Sequence, residues 1–174
     1  MRRYLDSLAW WLQVLANGAV VLGVWFAFQT ILEQQRQGRL SASLAYLSSY
    51  NSAEVLTARN HIMSSWIRAK VGDLAAPLDR TVVDRIVART VSLYEQETGH
   101  DLRVSIVNIA DSLNYAATCV AGNVCDGETL RRHLGHEGRN FYCLYETYIN
   151  SVPELRSLVT LEPGRSFFVG SRAC

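Results

Sequence analysis

Lysine is almost missing from this chain of 174 residues. Its 17 basic side chains are sixteen arginines and Lys70. With 16 acidic residues the net charge is only +1, so no overall field recruits nucleic acid or an acidic substrate. There are three prolines, at 77, 153 and 163, and no low-complexity or Pro-rich linker. Sustained period-2 alternation is scarce, which argues against a sheet. The four cysteines, Cys119, Cys125, Cys143 and Cys174, contain no CxxC pair, so neither a zinc ribbon nor a dithiol redox motif is present. A Gly-rich phosphate loop, a nucleophile elbow and a paired-carboxylate motif are also lacking. These absences leave no strong catalytic constellation and no implied cofactor or metal.

Charge is missing most conspicuously between Asp6 and Glu33. Leu8–Leu32, LAWWLQVLANGAVVLGVWFAFQTIL, reaches roughly 37 Å as a helix, against a hydrocarbon core of ~30 Å. It is longer than the apolar region of a signal peptide, and no small-x-small cleavage site follows. Trp10 and Trp11 near one end and Trp25 nearer the other resemble interfacial aromatics. We therefore expect one uncleaved membrane-spanning helix that continues outward past Gln34. Within it Asp6, Gln13 and Asn17 fall within about 40° of one another on a helical wheel. Ala19, Gly23 and Ala27 form a small-xxx-small ladder. Gln13, Asn17, Ala19, Gly23 and Ala27 are the expected oligomerisation residues. The flanking arginines, Arg2 and Arg3 against Arg36 and Arg39, nearly cancel. Arg59, Arg68 and Lys70 tip the domain towards the cytoplasm of a single-pass inner-membrane protein. That address predicts four reduced thiols; export would allow a Cys119–Cys125 bridge.

The rest reads as helices. Asn51-Ser-Ala-Glu54 suggests a capping box opening a helix to about Val71. Gly72–Pro77 is a loop. Asp79 caps the next helix, with Val83, Ile86, Val87, Thr90 and Tyr94 on one stripe, and Gly99 ends it. Asp101 opens a helix carrying Leu102, Ile106, Ile109, Leu113 and Val120, and Gly122 stops it. Asp126 caps another, with Leu130, Leu134, Phe141, Tyr145, Tyr148 and Val152 inward. Ser151 and Pro153 start a short last helix to about Leu161. Pro163-Gly164 breaks it and leaves a loose tail. The expected fold is all-α: flank 1–7, transmembrane helix 8–32, antiparallel helical bundle 33–162 and tail 163–174.

The stretch from Val107 to Ile149 resembles a family of small bacterial single-span proteins with a helical domain of unknown function. The resemblance rests on Asn108 and Asp111, on the turn from Gly122 to Asp126, and on the aromatic helix with Phe141, Tyr142, Tyr145 and Tyr148. NSAEVLTARNHI, with Arg59, resembles that family's earlier helix. Asp111 stands where glutamate is more usual. In layout alone the chain is also similar to the membrane accessory proteins of type VI-B CRISPR systems, which implies a ring-shaped antiviral pore.

Arg131 and His136 have the R-x4-H spacing of HEPN-type ribonucleases, in which histidine and arginine activate a 2′-hydroxyl and stabilise the phosphorane. On one helix the two lie about 140° apart, a poor match to shared chemistry. They are the only catalytic candidates. Arg132, His136 and Arg139 share a polar face suited to an acidic partner or an RNA backbone. His133, His136 and Cys143 are too widely spaced along a helix for one metal ion, and His61 and His100 stand alone. We expect a non-enzymatic membrane-anchored module that self-associates or docks on a larger membrane assembly. Its partners would be the bilayer and itself or other subunits, with nucleic acid less favoured. A pore effector and a tethered ribonuclease are the alternatives.

Overall fold

The computed structural model describes residues 2–70, 79–171 and 174; side chains in the first helix are described at Gln13, Leu15 and from Asn17 onward. The expected loop at 72–77, the side chains of Asp6, Trp10 and Trp11, and part of the expected tail lie outside the described residues. Every described element is a helix: α1 (Arg2–Tyr50), α2 (Ala53–Arg68), α3 (Arg80–Thr98), α4 (Leu102–Ala121), α5 (Gly127–Ser151), α6 (Pro153–Leu158) and α7 (Glu162–Phe168). The chain divides into two compact units, Met1–Arg39 and Leu40–Cys174.

The first unit is helix α1 as far as Arg39. Its described apolar side chains are exposed, Val21 at 69%, Phe26 at 67% and Trp25 at 58%. Among the described residues no helix is long and apolar enough to cross a membrane. The expected transmembrane helix is therefore corrected, and with it the single-pass inner-membrane location and the cytoplasmic placement. Within the uncharged stretch Gln13, Asn17, Gln29 and Thr30 are polar, and Glu33 ends it. The helix itself continues past Gln34 without a break to Tyr50.

The second unit is a helical bundle around α4, which contacts every later helix and α2. Leu102, Ile106, Ile109 and Leu113 of α4 are buried, meeting Val87, Val91 and Tyr94 from α3 and Leu130, Leu134 and Phe141 from α5. Val83, Ile86 and Tyr148, also expected inside, are half-buried at its margin. Three aspartates start three helices by accepting a backbone N–H: Asp79 from Thr81, Asp101 from Arg103 and Asp126 from Thr129. Gly99 ends α3 in the left-handed conformation at φ 69°, which glycine adopts without strain.

The expected capping box at Asn51–Glu54 does not form. Ser52 is the N-cap of α2 and its hydroxyl makes no capping bond. Asn51 Nδ2 instead donates 2.9 Å back to the Leu47 carbonyl, closing the end of α1. The adjoining helix end offers unsatisfied carbonyls, and they compete for the same side chain.

The described part of the expected tail begins as a helix, α7. Pro163 stands in the first turn of α7, where its missing N–H costs nothing, so it starts this helix rather than breaking the last one. Phe168 and Val169 are buried in the core. The thiols are not free either: Cys119 pairs with Cys125, and Cys143 with Cys174. The first pair closes the α4–α5 turn and the second ties the chain end to α5. The expectation of four reduced cysteines is corrected accordingly, because helix packing brings Cys143 and Cys174 together across 31 residues. A loop of that length restricts the unfolded chain by about 3–4 kcal/mol in the entropic account. Replacing both Cys143 and Cys174 with serine is expected to lower unfolding free energy by that amount in a urea titration, with helix content retained.

Candidate functional site

Helix α5 has an open flank on each side. Towards α2 lies a groove of about 710 Å³. Its walls are Leu56, Met63 and Trp66 from α2 and Phe141, Leu144 and Tyr145 from α5, with Ile109 of α4 at its floor. Arg59 and Glu137 lie within its lining: Arg59 Nε sits 2.9 Å from Glu137 Oε1, and the Tyr50 hydroxyl donates to that same oxygen at 2.9 Å. The Arg59 guanidinium also stands 5.6 Å from the Tyr50 ring centroid. Trp66 Nε1 donates to the Tyr145 hydroxyl at 2.6 Å.

Burial dominates the electrostatics of the two tyrosines here. Burial, then the Glu137 carboxylate, push the Tyr50 hydroxyl well above the usual tyrosine range. Burial pushes Tyr145 up to about 12. Both hydroxyls are protonated at neutral pH and serve here as hydrogen-bond groups, Tyr50 donating to Glu137 and Tyr145 accepting from Trp66. Arg59–Glu137 is a half-exposed ion pair that fixes α2 against α5, an arrangement worth little by itself.

Towards α7 lies a second cavity, of about 570 Å³. Arg131, Gly135, His136 and Arg139 line it from α5, and Ser166 to Ser171 close it from the chain end. The Arg131 guanidinium stacks 4.6 Å above the Phe167 ring. Phe168 lies over Gly138, where an added Cβ would stand 2.6 Å from the ring carbons. Glycine at 138 therefore lets α7 approach α5 closely. Asn114 ties the other side: its Oδ1 accepts from the Tyr142 hydroxyl at 2.9 Å and from the Gly164 N–H at 3.0 Å, and its amide donates to the Thr160 carbonyl.

The sequence-level site residues are only partly brought together. Arg131, His136 and Arg139 line one cavity, although Arg131 and His136 diverge on the wheel, because α7 wraps the edge between them. His136 also borders the α2 groove, with Asn140 Nδ2 3.3 Å from its Nδ1. Arg132 belongs to neither cavity; it is exposed and paired with Glu128 at 2.8 Å, one turn back. Gln13, Asn17, Ala19, Gly23 and Ala27 are all exposed on α1, and a Cβ on Gly23 would meet nothing within 4 Å. Asn108 faces a third cavity between α2 and α4, while Asp111 is exposed. His61 and His100, isolated in sequence, stack there with ring centroids 5.4 Å apart, and His61 Nδ1 lies 3.3 Å from Ser105 Oγ.

Sequence reasoning missed Tyr50, Glu137, Trp66 and Asn114, and named Arg59 without its partner Glu137. One local signal was available: Trp66 is a polar-tipped aromatic that needs a partner when half-buried. Nothing local could name Tyr145 as that partner. Among the described residues no group of three or more His, Cys, Asp or Glu side chains could hold a metal ion. Compared with protein-family models, curated proteins and solved structures, the chain matches none, so the resemblance between Val107 and Ile149 rests on its own short motifs.

Proposed function

We propose that the chain is a non-enzymatic helical module that self-associates, or docks on a larger assembly, through the apolar part of α1. The observation that carries this reading is the exposure of Val20, Val21, Leu22, Val24, Trp25, Phe26 and Phe28 on one helix. Monomeric proteins rarely leave an apolar surface of that extent in water. Covering such side chains is worth about 1.5–3 kcal/mol each. The ladder Ala19, Gly23, Ala27 supplies a face on which a second helix can approach closely.

The test is the mass of the full chain in mild detergent, by light scattering coupled to size exclusion. An oligomer is expected. Gly23→Leu adds a side chain where the single chain has open space, so the fold should be unchanged while the oligomer shifts to monomer. A wild-type monomer that also captures no partner subunit would sink the proposal. An oligomer indifferent to Gly23→Leu would move the interface off this ladder.

A further inference from the structure

We propose that the bundle is a substrate of dithiol oxidation and works in an oxidising compartment, where it receives its two disulfides in chain order and without isomerisation. The inference rests on the Leu40–Cys174 unit alone and goes beyond the self-association proposed for α1. Cys119 pairs with Cys125 and Cys143 with Cys174, which leaves no cysteine free. A thiol that is kept reduced needs no partner, because a buried one packs as a small apolar side chain. Here every cysteine stands opposite another, with Cα–Cα distances of 5.2 and 5.3 Å, inside the span that a bridge requires. Such bridges persist in oxidising compartments and are rare where glutathione and thioredoxin keep thiols reduced.

The bridges hold the fold rather than carry redox chemistry. Their sequence separations are 6 and 31, and neither has the CxxC spacing of a dithiol redox motif. Cys125 is only 4% exposed, which shields its sulfur from an attacking thiolate. The backbone itself draws the first pair together: the Val124 and Cys125 N–H groups both donate to the Cys119 carbonyl, at 3.0 and 3.1 Å. The same turn presents Asp126, whose carboxylate caps α5 and whose N–H donates to Ser43 Oγ at 2.7 Å. The second bridge joins the exposed Cys174 to the half-buried Cys143 of α5.

Of the pairings open to four cysteines, the structure has the one that joins them in chain order. Neither bridge has to break for the other to form. An oxidant that acts on cysteines in the order they become available therefore makes the native set directly. In each step one cysteine thiolate of the chain attacks the disulfide of a donor and forms a mixed disulfide. The second thiolate then attacks the chain's own sulfur in that mixed disulfide, closing the bridge and releasing the donor as a dithiol. Two electrons and two protons pass to the donor for each bridge, so the chain consumes two oxidised donors. The reaction class that must precede the working protein is thus dithiol–disulfide exchange with a dithiol oxidase.

The experiment has two arms. In the first, cells that produce the chain natively are quenched in acid before lysis, so that no thiol reacts afterwards. The denatured full chain is then labelled with a polyethylene glycol maleimide and read by gel shift. No labelled thiol is expected without prior reduction, and all four cysteines should label after it. Thiols that label without reduction in most of the molecules would overturn the oxidising address. In the second arm, the reduced and denatured full chain is refolded in mild detergent with a purified dithiol oxidase in its disulfide form, with and without a disulfide isomerase. Peptide mapping by mass spectrometry is expected to recover Cys119–Cys125 and Cys143–Cys174 in the same yield either way. The variant with both Cys143→Ser and Cys174→Ser should still form Cys119–Cys125, because the turn that draws that pair together is local. Crossed bridges, a yield that depends on the isomerase, or loss of Cys119–Cys125 in the variant would overturn the chain-order assignment.

Discussion

Gly164→Ala is expected to destabilise the bundle by roughly 3–5 kcal/mol, more than any other single methyl added to the chain. A Cβ at this position falls on the Tyr142 hydroxyl and stands 2.7 Å from Asn114 Oδ1. Tyr142 is fully buried and cannot swing aside, and the third party is a carboxamide already holding two donors. The methyl must therefore displace α7, separating Gly164 N–H from its acceptor and drawing Phe168 out of the core. Overpacking alone costs about 1–3 kcal/mol, and the unsatisfied amide adds a similar amount. The measurement is the urea midpoint of the full chain with and without the substitution. A change under about 1 kcal/mol, the centre of the range for point mutations generally, would mean that α7 does not dock as described. Tyr142→Phe serves as the comparison: it removes one hydrogen bond without a clash and should cost about 1 kcal/mol.

Truncating Phe141 to alanine is expected to cost about 3–5 kcal/mol, the range for a large aromatic lost from a packed core. Phe141 is 6% exposed and sits between two aromatic neighbours. Its ring meets Tyr142 edge-on at 5.6 Å between centroids and Tyr145 tilted at 5.2 Å. Those contacts are worth about 0.5–1.5 kcal/mol beyond area burial. Phe141 also lines the α2 groove, so the void opens towards solvent. Water entering there would bring the loss towards the lower end of the range. Thermal unfolding followed by circular dichroism reads the effect; a loss as small as that of a surface substitution would show that the Phe141–Tyr145 cluster is not a single packed unit.

Much of this architecture is a matter of short-range chemistry, and that part was legible in the sequence. An aspartate that caps does so through a backbone N–H two or three residues away, so Asp79, Asp101 and Asp126 could be identified as helix starts. Gly99 reports its own left-handed conformation for the same reason. The stripes of α3, α4 and α5 follow from a 3.6-residue period, and the buried positions Val87, Leu113, Leu134 and Phe141 lie on them. Where two local rules compete, the sequence is ambiguous. Asn51 can cap the helix after it or close the helix before it, and Pro163 can end one helix or begin another. The outcome at both positions depends on which neighbouring segment is packed.

Which residues meet across the bundle was decided only by tertiary structure. The pairings Cys143–Cys174, Tyr50–Glu137, Trp66–Tyr145 and Asn114–Gly164 join positions 31, 87, 79 and 50 residues apart. No period or spacing encodes such a contact. Arg131, Arg132 and Arg139 are alike in sequence, yet the first and third line the cavity beside α7 while Arg132 is left to its own Glu128. Composition and pattern determined that the described elements are all helices, with a long first helix preceding a helical bundle in the chain. The packing of α7 and its anchor at Cys143 determined which basic side chains share a cavity, because shape at that edge belongs to two segments that meet only in the folded chain.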